Sequence, residues 1–269
     1  MNNLLIKIKN LSKHYSIQNS PFKKKRIIKA LDDVSIDIYE NEILSLVGES
    51  DSGKSTLSYL LVNMKKQSGG KILYKNKNIF LFNKNETIKY RQNIQIIFKD
   101  SFSSLNKNYN IGKILYEALE LNKKISKEDI QNSVKKIIEE VGLSNNIYYK
   151  YPYEISNEEI LQVIIARAFI IKPKLIIFDD PISNLDLTIQ ARIINLILYL
   201  QKKYSMSYLY ISYDLNIVNY ISNRIIIIKD GKIIEQNSVE ELLNNPQEQY
   251  TKNLYKAVPK IKYKLKNSY

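Results

Sequence analysis

The sequence of 269 residues contains no cysteine, no tryptophan and a single histidine, His14. Without cysteine there is no disulfide framework, no thiolate zinc site, no cysteine-ligated iron–sulfur cluster and no cysteine nucleophile. One histidine excludes a histidine-rich metal site. Long apolar runs are missing as well. The longest, such as Ile225 to Ile228 or Ile193 to Leu200, fall far short of the roughly 18 residues that a membrane span needs. The N-terminus carries Lys7 and Lys9 in its first strand-like run and no signal-peptide hydrophobic region, so a cytoplasmic chain is expected. Glycine is scarce: an average usage near 7% would give roughly 19, whereas this sequence has 7. Each glycine that remains needs a physical reason.

Positive charge and tyrosine are abundant. Lys plus Arg number 41 against 27 Asp plus Glu, giving a net charge of +14, and there are 21 tyrosines. Such a balance suits anionic partners, whether nucleic acid, lipid headgroups or nucleotide phosphates. It equally suits a solvated surface shaped by A/T-rich coding, which favours Lys, Asn, Ile and Tyr. With 44% hydrophobic and 25% charged residues the chain can bury a sizeable core, and a disordered chain, a collagen and a coiled coil are excluded.

Periodicity predicts strands at Leu4-Ile6-Ile8, Val34-Ile36-Ile38, Ile43 to Val47, Lys71 to Tyr74, Ile94 to Phe98, Leu175 to Phe178, Tyr208 to Ile211 and Arg224 to Lys229. Asp230-Gly231 then turns the chain into Lys232 to Glu235, a hairpin signal. Helical patterns occupy roughly 54–64, 112–121, 126–141, 157–171, 187–203 and 214–222. Asn19 to Arg26 is a loop ending in Lys23-Lys24-Lys25-Arg26, a run that reads as a solvated loop or as a nucleic-acid patch. Strands alternating with helices predict an α/β layered sheet. The mostly helical stretch from about 101 to 168 predicts an inserted subdomain.

Gly48-Glu49-Ser50-Asp51-Ser52-Gly53-Lys54-Ser55 fits the phosphate-loop pattern G-x-x-x-x-G-K-[ST], lying between a strand and a helix as that motif requires. In such a loop, successive backbone N–H groups and the helix N-terminus surround phosphate. The lysine, here Lys54, reaches the β/γ oxygens, and the hydroxyl of Ser55 ligates Mg²⁺. Leu175-Ile176-Ile177-Phe178-Asp179-Asp180 is an apolar run ending in two carboxylates. Alone it suits any buried strand with terminal acids. Behind a phosphate loop it reads as a Walker B strand, with Asp179 in the Mg²⁺ shell and Asp180 where a water-activating base would sit.

The order of phosphate loop, Ile97-Phe98-Lys99-Asp100, Glu154-Ile155-Ser156-Asn157-Glu158-Glu159, Walker B strand, Ser183-Asn184-Leu185-Asp186 and Ile211-Ser212-Tyr213-Asp214 resembles an ABC-transporter nucleotide-binding domain over essentially the whole chain. Tyr151-Pro152, Ser104-Leu105-Asn106 and the tail with Asn245-Pro246-Gln247, Tyr250-Thr251-Lys252 and Ala257-Val258-Pro259 are similar to ATP-binding subunits of oligopeptide, dipeptide and nickel importers. The resemblance implies a RecA-like phosphate-loop core, an antiparallel β subdomain and the helical insert within residues 1–245, followed by an importer-type tail at 246–269. It implies ATP and Mg²⁺ held by Gly48, Ser50, Asp51, Ser52, Gly53, Lys54, Ser55, Thr56 and Asp179. Two such domains would sandwich two nucleotides, each site combining one chain's phosphate loop with the other chain's signature at Ser156. Tyr15 is placed either to stack on adenine or simply to pack. The implied partners are a second ATP-binding subunit, two transmembrane permeases and, indirectly, an extracytoplasmic solute-binding protein, at the cytoplasmic face of the membrane. No nucleic acid is expected, although a soluble cassette acting on nucleic acid stays open on charge alone.

Five motifs depart from the family pattern. It has Gly at 51, Gln at 99, Gly-Gly-Gln at 157–159, Glu at 180 and His at 213, where this chain has Asp51, Lys99, Asn157-Glu158-Glu159, Asp180 and Tyr213. Asp51 adds a Cβ and a carboxylate beside an anionic ligand. Lys99 cannot accept hydrogen bonds from metal-bound water. Asp180 is one methylene short, Tyr213 lacks an imidazole, and only Ser156 of the signature keeps its donor. Lys99, Asp180 and Tyr213 would serve the site on this chain's own phosphate loop, whereas the signature would face the partner's. The expectation is nucleotide binding with impaired hydrolysis in a heterodimer. The alternative is a purely structural pseudo-ATPase.

Overall fold

The computed structural model describes residues 3–17, 26–120 and 125–257. The run Lys23-Lys24-Lys25 and the tail residues Val258 and Pro259 lie outside them. Strands and helices are numbered in chain order. An antiparallel sheet takes β1 (Leu4–Ile17), β2 (Arg26–Tyr39), β4 (Gly69–Tyr74) and β5 (Lys77–Asn78) in the order β2-β1-β4-β5. A second sheet takes β3 (Ile43–Val47), β6 (Ile94–Phe98), β7 (Leu175–Asp179), β8 (Ser207–Ser212), β9 (Arg224–Lys229) and β10 (Lys232–Ser238) in the order β10-β9-β3-β8-β7-β6. Its strands pair in parallel except at the β9–β10 hairpin.

Alternation along these strands builds two cores, because successive side chains point to opposite faces. Leu175, Ile177, Leu209, Ile211, Ile226 and Ile228 face one way, against α1 (Lys54–Leu61) and the antiparallel sheet. Ile176, Phe178, Tyr208, Tyr210, Ile225 and Ile227 face the other way, against α5 (Asn157–Phe169), α6 (Leu187–Tyr204) and α7 (Leu215–Ile221). A parallel sheet covered on both faces reads in sequence as unbroken apolar runs. The helical insert, α3 (Ile111–Glu120), α4 (Lys127–Glu140) and the start of α5, shares the second core through Leu115, Val134, Ile138 and Leu161. Glu140 at the end of α4 accepts a hydrogen bond from Tyr204 and pairs with Lys203 at 3.0 Å, which ties the insert to α6.

The first helix ends three residues earlier than its periodicity predicts. Met64 donates its backbone N–H to the carbonyl of Tyr59 at 2.9 Å, and Asn63 donates to Leu60 at 3.0 Å with φ 53°. This is a Schellman motif with asparagine at the left-handed position. Three helices escape sequence periodicity: α2 (Lys84–Asn93), α8 (Val239–Asn244) and α9 (Gln249–Ala257). In α2 only Tyr90 is buried, so the helix is defined by its start, where Asn83 and Glu86 form a reciprocal capping box.

A buried ion pair joins the sheets. The carboxylate of Glu42, 5% exposed, accepts from the Tyr39 backbone at 2.6 Å and from Arg224 of β9 at 3.0 Å. Removing one member of a buried pair leaves the other unsatisfied. Glu42→Ala is therefore expected to lower stability by about 2–3 kcal/mol, with Glu42→Gln costing less, as read from urea unfolding midpoints.

Candidate functional site

Four parallel strands deliver their following residues to one edge of the sheet. β3 leads into the loop 48–53, β6 into Lys99, β7 into Asp179 and Asp180, and β8 into Tyr213. Ligand crevices of open α/β sheets form at such carboxyl ends. Here a cleft of about 1090 Å³ is lined by Ser50, Asp51, Gly53, Lys54, Ser55, Thr56, Lys99, Asp179, Asp180 and Tyr213.

Two of the seven glycines stand in this loop. A Cβ on Gly48 would lie 2.2 Å from the carbonyl oxygen of Ile228, and one on Gly53 would lie 2.2 Å from that of Ala30. Gly53 also has φ +104°, and Gly231 of the hairpin donates its N–H to the Ser52 carbonyl at 3.1 Å. Asp51 has φ 60°, the left-handed region that aspartate enters more readily than most residues. The loop thus keeps its backbone course where the family has glycine, while the exposed Asp51 adds its carboxylate to the cleft wall.

The ammonium of Lys54 sits inside the loop, donating to the carbonyls of Gly48 at 2.8 Å and Glu49, and to Ser52 Oγ at 3.2 Å. Burial pushes its pKa down, and the nearby Asp179 and Asp180 carboxylates oppose that shift. Ser55 Oγ donates to Asp179 Oδ1 at 3.1 Å. Burial raises the Asp179 carboxyl, and the Ser55 hydrogen bond partly offsets the rise. A hydroxyl and a carboxylate side by side are hard oxygen donors, the kind Mg²⁺ takes while keeping several waters. The Lys54 charge and the loop backbone fit phosphate. The residues present therefore fit Mg²⁺ and nucleotide.

The sequence reading assigns Lys99, Asp180 and Tyr213 to the site on this chain's own phosphate loop, and in the structure their side chains are neighbours. Lys99 Nζ pairs with Asp180 Oδ2 at 3.0 Å and stands 5.4 Å from the centre of the Tyr213 ring. The hydrogen bond to Asp180 raises the lysine pKa above its ordinary value. Asp180 is nearly enclosed, its side chain 12% exposed, with its backbone at φ 54° and its N–H given to the Ile211 carbonyl at 3.0 Å.

The signature lies apart from this cleft, at the start of α5. Ser156 is the N-cap and accepts from the Glu159 backbone at 3.2 Å. Its hydroxyl donates to Glu159 Oε2 at 2.8 Å, and its own backbone N–H donates to the same oxygen at 2.8 Å. These bonds hold the Glu159 carboxyl below the usual range. Glu158 pairs with Arg192 at 3.5 Å. In the loop before α6, Asp186 caps the helix by accepting from Thr188 and Ile189 at 3.0 Å each.

Tyr15 stands on β1, paired with Ile28 of β2, and is not among the cleft-lining residues. Lys13 and Lys65 lie 5.0 and 5.2 Å from its ring centre, and Lys65 donates to its hydroxyl at 3.3 Å. Ile28, Tyr59, Met64 and Phe98 supply the apolar flank of the cleft instead, with the rings of Tyr59 and Phe98 5.7 Å apart. These four were not singled out from the sequence. Tyr59 carries a signal, five residues beyond Lys54 on the same helix, whereas nothing local marks Ile28 or Met64.

The loop, the paired carboxylates and the sheet order define a P-loop nucleotide-binding protein. Residues 31–183 match the family described as ABC transporter. The oligopeptide transport ATP-binding protein OppF of Salmonella typhimurium is 36% identical over 260 residues, covering 95% of this chain and 78% of that one. OppF of Bacillus subtilis is 37% identical, covering 96% and 84%. The dipeptide transport ATP-binding protein DppF of Escherichia coli is 34% identical, covering 96% and 77%. Among solved structures, cbiO1 of Clostridium perfringens superposes with a TM-score of 0.77 at 24% identity, covering 90% of this chain and 92% of that one. The dimeric bacterial ABC transporter cassette MJ0796 superposes with a TM-score of 0.75 at 26% identity, covering 87% and 99%. The chain belongs to the ABC transporter family and, within it, groups with the oligopeptide and dipeptide transport ATP-binding proteins.

Proposed function

We propose that this chain is the ATP-binding subunit of a peptide importer, that it pairs with a different ATP-binding subunit, and that it holds Mg-ATP while hydrolysing it slowly or not at all. Residues 1–245 form the cassette and 246–269 the importer-type tail. Lys54 neutralises phosphate charge, the loop backbone donates to phosphate oxygens, and Ser55 and Asp179 hold the metal, with Thr56 beside them. When bound, Mg²⁺ supplies charge neutralisation across the phosphate oxygens. Among the described residues no helix is long and apolar enough to cross a membrane, so contact with the membrane falls to two permease subunits at its cytoplasmic face. The solute-binding protein meets those permeases from the other side.

The observation that carries the slow-turnover reading is the 3.0 Å ion pair between Lys99 and Asp180. A carboxylate that must orient water as an acceptor is here engaged by an ammonium, which occupies one of its oxygens. The Ser156 hydroxyl, which would serve the partner's nucleotide, is committed to Glu159. Both composite sites of a dimer are thereby affected by this one chain, which supports a partner of different sequence.

Calorimetric titration of the full chain with Mg-ATP tests the binding half of this reading. Lys54→Ala is expected to weaken affinity about 30-fold, the scale of losing a charge-assisted contact. Equal affinity of mutant and parent rejects the assignment of the loop, and no binding by either identifies a structural subunit.

A further inference from the structure

One hydrogen bond joins the phosphate loop to the C-terminal helix. α9 is anchored on β10: Glu235 accepts the backbone N–H groups of Gln247 at 2.8 Å and Glu248 at 3.1 Å, and Tyr255 donates to Asn219 at 3.0 Å. From the first turn of this anchored helix, Tyr250 donates its hydroxyl to Glu49 Oε1 at 3.1 Å. Lys229 Nζ lies 4.6 Å from the centre of the Tyr250 ring. Burial and the adjacent carboxylate raise the Tyr250 phenol, so it remains a donor at neutral pH.

Glu49 is the second residue of the loop, and its carbonyl is one of the oxygens gripping Lys54. Its side chain is exposed and places a negative charge beside a loop whose ligand is itself anionic. A donor fixed on the outer side holds that carboxylate in one position. We infer that Tyr250 is a positioning residue of the nucleotide site: through Glu49 it anchors the outer side of the phosphate loop and keeps the Glu49 carboxylate off the phosphates. The inference rests on the nucleotide-binding reading above and extends it to the C-terminal helix.

Four full-length proteins test it by titration with Mg-ATP: the parent, Tyr250→Phe, Glu49→Ala and the double variant. Phenylalanine keeps the ring against Lys229 and removes only the hydroxyl. Tyr250→Phe is expected to weaken affinity about fivefold with an unchanged melting temperature, the scale of a partly exposed hydrogen bond to a charged group. In the Glu49→Ala background, where neither the acceptor nor the carboxylate remains, the same change is expected to have no effect, a coupling that packing alone would not produce. Parent-like binding by Tyr250→Phe overturns the inference, as does an equal loss in both backgrounds. Lys54→Ala in the same series separates the two readings. Affinity that depends on Lys54 but not on Tyr250 rejects this inference alone, whereas affinity indifferent to Lys54, or absent in the parent, rejects both.

Discussion

ATP turnover by the assembled importer is expected to rise about 100-fold when Asn157→Gly, Glu158→Gly and Glu159→Gln are introduced together, the scale on which preorganised donors act on a developing oxyanion. The reason lies in the single proton of the Ser156 hydroxyl. A hydroxyl has one hydrogen to give, and Glu159 takes it at 2.8 Å while also holding the Ser156 backbone N–H. Glutamine in place of Glu159 is neutral and a weaker acceptor, which frees that proton for phosphate. Glycine at 157 and 158 removes two side chains, one of them acidic, from the turn that would meet the nucleotide. The gain should come chiefly from the site on the partner's phosphate loop.

Repairing Asp180→Glu and Tyr213→His alone should raise turnover little. Lys99 remains beside the lengthened carboxylate, and the signature is still blocked. Lys99→Gln must accompany them before the water site on this chain recovers an acceptor. Steady-state phosphate release by the reconstituted transporter measures all these variants. An unmodified complex that already turns over at an ordinary transporter rate, and loses that rate with Asp180→Ala, rejects the impaired-subunit reading and makes Asp180 a working base.

The second large effect is at Gly53. Its φ of +104° is a conformation that L side chains rarely adopt, and a methyl group there would stand 2.2 Å from the backbone oxygen of Ala30. That nearest atom is backbone, so no rotamer change of β2 can clear it. Gly53→Ala should therefore reduce Mg-ATP affinity more than about 100-fold by displacing the loop from its hydrogen-bonding course. Circular dichroism should show the rest of the sheet still folded. Near-parental affinity in a titration of Gly53→Ala would show that the loop shape is not what binds the phosphates.

Most of the layered sheet was legible because its strands are buried on both faces and read as apolar runs. Leu175 to Asp179 and Arg224 to Lys229 are examples, found at the expected places. The polar helices were not legible. α2 announces itself only through the Asn83–Glu86 cap, and α9 only through Gln247 and Glu248, just before it, which donate to Glu235 of β10. At the site, fixed spacing exposed the loop and the Walker B carboxylates. Spacing could not reveal that Lys99, Asp180 and Tyr213 meet, because their proximity depends on β6, β7 and β8 being neighbours in the sheet. Nor could it show that Ser156 gives its hydroxyl to Glu159, since a capping serine and a phosphate-binding serine look alike until the acceptor is located.

That cap has a consequence for the first turn of α5. Glycines at the first two positions of α5 would each cost the helix about 1 kcal/mol, and the reciprocal cap between Ser156 and Glu159 contributes about 1 kcal/mol in the other direction. Glu158 and Glu159 add favourable charge at the positive end of the helix. A glycine-bearing turn frays in a lone chain and acquires order from whatever closes over it. Here the turn is ordered by its own residues. The first turn of α5 is thereby complete without help from any partner or nucleotide.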